Sequence, residues 1–309
     1  MAFPTETVYG LGANAFSDSA ICKIFDAKGR ASDNPLIVHI SKKSQLHVVA
    51  VDMPDIAWSY IESFWPGPLT LILKKHNNLA LAGLAGLDTV GVRLPNHPVA
   101  TKLIDMCGPL VAPSANLSGS PSPTTAQHVL DDLSGKIDAI IDGGDTSFGL
   151  ESTVLDTATG RILRPGAITQ QQLSTISKVV VDTTFGQKNI DKPIAPGQKY
   201  THYAPKAKTA LVMGTDIPKK ILNLATTKKN IGILTTDQNI QWYKSLQATV
   251  LSLGDKNNPQ GMATLLYKHL RQFDKVGIDF LYIEGFSENH GFYLTLMDRL
   301  VKASSYNII

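Results

Sequence analysis

SDSAICKIFDAKGRASDNPLIVHI, residues 17–40, reads as a helix, a tight turn and a strand in immediate succession. Ser17 stands where a helix N-cap belongs, and Ile21, Ile24 and Phe25 recur at the helical period on one face. Gly29 ends the helix at about Lys28, because a left-handed C-terminal residue is most easily supplied by glycine. Pro35 to Ile40 then follows a strand pattern. The turn between them holds Lys28, Arg30, Asn34 and, on the strand, His39. A helix feeding a strand through a short, cationic turn is a unit of an α/β domain.

Outward from this unit, further β-rich runs at residues 69–75, 89–94, 110–112, 139–141 and 153–155 alternate with amphipathic segments and Gly/Pro turns as far as residue 182. Helices are predicted at residues 55–64, stopped by Pro66-Gly67-Pro68, and at 124–133, after Ser122-Pro123. The pattern predicts a twisted mixed sheet in a domain of residues 1–182. Residues 183–206 carry several prolines and little apolar periodicity, and read as a linker. From residue 207 the order becomes regular: strands at 210–213, 231–234, 249–251 and 280–283, helices at 218–225, 260–273 and 292–302. That alternation predicts a small doubly wound, Rossmann-like sheet of parallel strands over residues 207–309.

Composition narrows the function. The chain has 309 residues, 29 basic and 26 acidic, for a formal charge of +3, too balanced to advertise a general nucleic-acid binder. Its two cysteines, Cys22 and Cys107, form no CxxC pair and match no zinc-site spacing, which suits a reducing cytosol and no structural metal. No apolar run approaches the roughly 20 residues of a membrane span, so a cytoplasmic protein with no membrane partner is expected. The familiar phosphate loops, GxxxxGK[ST] and GxGxxG, are absent, as are HExxH and GxSxG.

Several polar segments remain. Pro4-Thr5-Glu6-Thr7-Val8-Tyr9-Gly10 puts hydroxyls and a carboxylate before a glycine turn. Lys28-Gly29-Arg30 and Asn34 combine a compact and a forked cation, the set that neutralises phosphate charge. Arg93, flanked by apolar strand residues, needs an anionic partner, which a ligand carboxylate would supply. Ser114, Asn116 and Ser118 follow an apolar run, where they suit either a polar ligand or an Asx/Ser turn. Ser152 lies in Gly149-Leu150-Glu151-Ser152-Thr153, and Arg164 ends a run before Pro165-Gly166.

Taken together, PTETVYGLG, KGRxxxNPLxxH, WPGPLT, VGVRLP, PSANLSG, GLESTVLD, ILRPG and APGQKYTHYAPK resemble the longer, two-domain form of the threonylcarbamoyl-AMP synthase family. The resemblance implies a YrdC-type domain, a linker and a C-terminal domain. It implies condensation of L-threonine, bicarbonate and ATP, with Mg2+ on the ATP phosphates, to threonylcarbamoyl-AMP and pyrophosphate. The product would feed N6-threonylcarbamoylation of adenosine 37 in tRNAs through a downstream transfer complex. Threonine contacts are implied for Thr7, His39, Arg93, Ser114 and Ser152. ATP contacts are implied for Lys28, Arg30, Asn34, Thr89, Asn116, Thr124, Arg164 and Tyr203, with Lys28 and Arg30 stabilising charge during the reaction and Tyr203 closing over the nucleotide. The family also has a helix and most of a strand before the motif that here begins at Pro4, so a late-placed start or a shortened first strand is expected. The alternative from a different class is a double-stranded RNA or tRNA-binding module without turnover.

Overall fold

Ser17 Oγ accepts the Ala20 amide at 3.3 Å and so begins helix Asp18–Lys28. Gly29 ends it in the left-handed conformation, φ 59°, which glycine adopts without a Cβ clash. Ile21, Ile24, Phe25 and Ala27 are buried along one side. The following strand, Ile37–His39, is buried at every position, because it lies in the interior of a sheet.

In this computed structural model, residues 1–182, 195, 203–288 and 290–309 are described. The chain divides into two units, one of residues 1–118 with 122–200, the other of residues 119–121 with 201–309.

The first unit is built on a nine-stranded sheet. Its main path runs Val180–Val181, Arg161–Arg164, Thr153–Asp156, Leu69–Lys75, Thr89–Arg93, Ile37–His39, Leu110–Val111, Ala13–Asn14, with Ala50–Val51 added beside Leu69–Lys75. Parallel and antiparallel pairings are interspersed: Ile37–His39 runs parallel to Thr89–Arg93 and antiparallel to Leu110–Val111. This is the mixed sheet the sequence predicts. A continuous apolar core joins helix Asp18–Lys28 to these strands through Ile21, Ile24, Val38, Leu71 and Val92.

Three local expectations need correction. Residues 139–141 make no strand; Ala2 alone bridges Ile140, exchanging hydrogen bonds with Ala139 and Ile141. The helix expected from residue 124 is Ala126–Leu133, begun by Thr125, whose Oγ1 accepts the His128 amide. A helix at Pro98–Cys107 was not foreseen.

The second unit carries a four-stranded sheet, all parallel, in the order Lys208–Val212, Phe280–Glu284, Ile231–Thr235, Ala248–Ser252. Helices Ile217–Ala225, Pro259–Val276 and Gly291–Ala303 alternate with the strands as expected. The C-terminal residues add an unforeseen pairing: Ile308 bridges Leu211 in parallel. The predicted linker, residues 183–206, lies mostly outside the described residues. Ala195 is buried against Ile72, Val154 and Leu163, and residues 203–206 fall within the second unit. Among the described residues, no helix is long and apolar enough to cross a membrane.

Candidate active site

Strand register divides the predicted site residues between two ends of the central strands. His39 pairs with Arg93 across the parallel strands, and Leu71 pairs with Val92 in the antiparallel neighbour. Thr70 is therefore level with Arg93. Leu69 pairs with Thr153 and Val154 with Arg164, which brings Ser152 and Arg164 to the same end. His39, Arg93, Ser152 and Arg164 thus stand along one edge of adjacent strands. At about 4.8 Å per strand, the row spans on the order of 20 Å.

Arg93 is the best-braced member. Its Nη1 donates to Thr7 Oγ1 at 2.9 Å, its Nε to the Gly67 carbonyl at 3.3 Å, and its Nη2 lies 2.7 Å from Glu6 Oε2. Thr5 Oγ1 donates to the Val8 carbonyl at 2.7 Å, so the 2.8 Å contact between Thr5 and Thr7 takes its hydrogen from Thr7. The remaining Thr7 lone pairs face Arg93. Glu6 of the chain itself is an anionic partner of Arg93. Sequence alone assigns Glu6 no role, because a run of two threonines around a glutamate reads equally as a loop.

His39 is 4% exposed, and its Nδ1 is 3.1 Å from the Ile37 carbonyl. A carbonyl only accepts, so Nδ1 carries the hydrogen and Nε2 the lone pair. Burial pushes the His39 pKa down from the ordinary 6.5 to about 3, and the Arg93 charge reinforces the shift; the Ile37 hydrogen bond opposes it, and Arg164 lowers it further. The imidazole is neutral at physiological pH.

Ser152 and Arg164 are locked together. Arg164 forks the Ser152 carbonyl through Nε at 3.1 Å and Nη2 at 3.0 Å, and Nη2 also reaches Ser152 Oγ at 3.1 Å. Thr70 Oγ1 meets Ser152 Oγ at 2.8 Å. Gly166 permits this closeness: a Cβ there would lie 2.3 Å from the Thr153 nitrogen.

The other end holds Lys28, Arg30, Asn34, Thr89, Ser114 and Asn116. Ala112 donates to the Ile37 carbonyl, so the segment leaving Leu110–Val111 runs away from His39. Thr89 opens its strand four residues before Arg93, about 13 Å along it. Lys28, 2% exposed, donates to the carbonyls of Ser114 at 2.5 Å and Asn116 at 2.6 Å. Arg30 Nη2 reaches the carbonyls of Asn34 at 3.4 Å and Pro35 at 3.3 Å. Asn34 is 1% exposed and its Oδ1 has no hydrogen-bond partner among the described residues. Residues Thr5 to Gly10 connect the ends: Thr7 contacts Arg93 while Gly10 bridges Ser114.

Arg164, expected at ATP, stands at the His39 and Arg93 end; Ser114, expected at threonine, stands at the Lys28 end. Thr124 is 4% exposed, its Oγ1 3.3 Å from His128 Nδ1. Tyr203 belongs to the second unit, is 5% exposed, and packs its ring 5.2 Å from that of Tyr267 and 5.3 Å from the Arg299 guanidinium.

The chain is similar to known proteins over its full length. The family model described as "Telomere recombination" matches residues 1–166, and that described as "Threonylcarbamoyl-AMP synthase, C-terminal domain" matches residues 168–305. The threonylcarbamoyl-AMP synthase of Bacillus subtilis is 46% identical over 100% of this chain and 90% of that protein. The one of Schizosaccharomyces pombe is 36% identical over 99% and 85%. The crystal structure of Pyrococcus abyssi Sua5 complexed with L-threonine superposes with a TM-score of 0.93 at 43% identity, covering 100% of this chain and 91% of that one. With both halves matched in order and the fold shared throughout, the chain belongs to the threonylcarbamoyl-AMP synthase family.

Proposed function

We propose that this enzyme condenses L-threonine, bicarbonate or CO2, and ATP to threonylcarbamoyl-AMP and pyrophosphate, with the row from His39 to Arg164 as its threonine end and the Lys28 to Asn116 cluster as its nucleotide end. The observation that carries the division is the placement of Arg93 and His39 at one end of paired strands and of Lys28, Arg30 and Asn34 at the other. Arg93 Nη2 receives the threonine carboxylate. Neutral His39 offers the Nε2 lone pair to the threonine hydroxyl without adding charge. The threonine ammonium gives up a proton to solvent, the free amine attacks CO2 and releases its second proton to solvent, and the resulting carbamate oxygen attacks the α-phosphorus as the bond to the pyrophosphate oxygen breaks. No covalent enzyme intermediate is needed, so catalysis is positioning plus charge stabilisation. Lys28 and Arg30 supply positive charge to the phosphates, and Arg164 extends that charge towards the carbamate.

Among the described residues, no group of three or more His, Cys, Asp or Glu is placed to hold a metal ion. A cationic site of this kind fits Mg2+ arriving on ATP, held by phosphate oxygens and water. When bound it would neutralise phosphate charge. The product would pass to a tRNA threonylcarbamoyl-transfer complex in the cytoplasm.

Pyrophosphate release tests the proposal. Release that depends jointly on L-threonine, bicarbonate, ATP and Mg2+ is expected. Salt-sensitive RNA binding with no such release would favour the RNA-binding reading instead.

A further inference from the structure

The main chain of Glu6 is pinned: its carbonyl accepts from the Phe148 amide at 2.9 Å and Ser147 Oγ at 3.2 Å. Its side chain is 5% exposed. Oε2 touches Arg93 Nη2 at 2.7 Å, yet the contact is out of line: among the described residues, neither carboxylate oxygen accepts a directed hydrogen bond and Nη2 donates none. Arg93 has spent Nε and Nη1 on Gly67 and Thr7. Buried charges normally complete their hydrogen bonds, and this pair leaves one donor and two acceptors side by side.

An amino acid in its zwitterionic form presents the complementary pattern, a carboxylate and an ammonium on one carbon. We propose that Glu6 binds the ammonium group of threonine while Arg93 Nη2 binds its carboxylate, so that the pair selects for an α-amino acid and holds its nitrogen in place until it loses the proton to solvent. The inference rests on the threonine end being at Arg93. It gives Glu6 a substrate-recognition role beyond bracing the guanidinium.

The two roles separate by ligand. 3-Hydroxybutanoate keeps the carboxylate and hydroxyl of threonine and lacks the amine. Titration calorimetry on the full chain should find wild type binding threonine at least about tenfold tighter than this analogue, the worth of one charge-assisted hydrogen bond. Glu6→Gln, of nearly the same shape, should lose that preference. Glu6→Asp keeps the charge beside Arg93 but draws it back by one methylene; it should lose part of the preference and carries the test if Glu6→Gln does not fold. Glu6 variants that weaken both ligands by the same factor, or leave the preference intact, overturn the proposal. Arg93→Gln distinguishes the underlying reading: threonine binding that survives it means the site itself is misplaced. Loss of threonine binding in Arg93→Gln with an intact preference in the Glu6 variants defeats only the role of Glu6.

Discussion

At the scale of single residues, the site depends on buried charge held by few partners. Arg93→Gln removes the cation beside a buried carboxylate, and breaking such a pair costs about 3–5 kcal/mol. Chemical denaturation should show that loss, together with abolished threonine-dependent turnover. His39 gives a pH signature. Its folded pKa, about 3, lies below the ordinary 6.5, so the unfolded chain binds the extra proton first. The native state therefore loses stability as pH falls from about 6.5 towards 3. His39→Asn should flatten the fall in melting temperature over that range; an equally steep fall would contradict the assignment. Arg93 was legible in the sequence because a cation in an apolar strand advertises a need. Glu6 was not, because no pattern in residues 4–10 says that its carboxylate folds under a strand some ninety residues away.

At the scale of elements, the cationic turn is stitched to the loop it faces. Lys28 supplies hydrogen bonds to two carbonyls, and its own carbonyl accepts from the Ser118 amide at 2.9 Å. Lys28→Met would leave the Ser114 and Asn116 carbonyls without this donor, at about 1–3 kcal/mol for each group left unsatisfied. Thermal unfolding should register the loss, and KM for ATP should rise. Gly166→Ala should be worse than an exposed glycine change, because its Cβ would meet backbone of residues 151–153. The helix, turn and strand of residues 17–40 were readable since cap, period and terminating glycine agree. Helix Pro98–Cys107 was not: His97 gives it no side-chain cap, so only Pro98 in the first turn marks its start. Residues 139–141 have strand-like composition but a single partner at Ala2, and composition does not count partners.

For the whole molecule, the parallel sheet of the second unit was legible because strands and helices of ordinary length alternate there. The pairing of Ile308 with Leu211 was not, since three terminal residues carry no period. Within helix Gly291–Ala303, Asp298 is buried between Arg299 and Lys302, the latter at 2.7 Å. Asp298→Asn should destabilise the second unit by about 3–5 kcal/mol, seen as an earlier unfolding transition. The account as a whole stands on one reaction. Incubating the full chain with L-threonine, ATP, Mg2+ and isotope-labelled bicarbonate, then weighing the adenylate formed, should yield threonylcarbamoyl-AMP carrying the label. Failure to form that labelled adenylate, with the chain folded and all four components present, would contradict it.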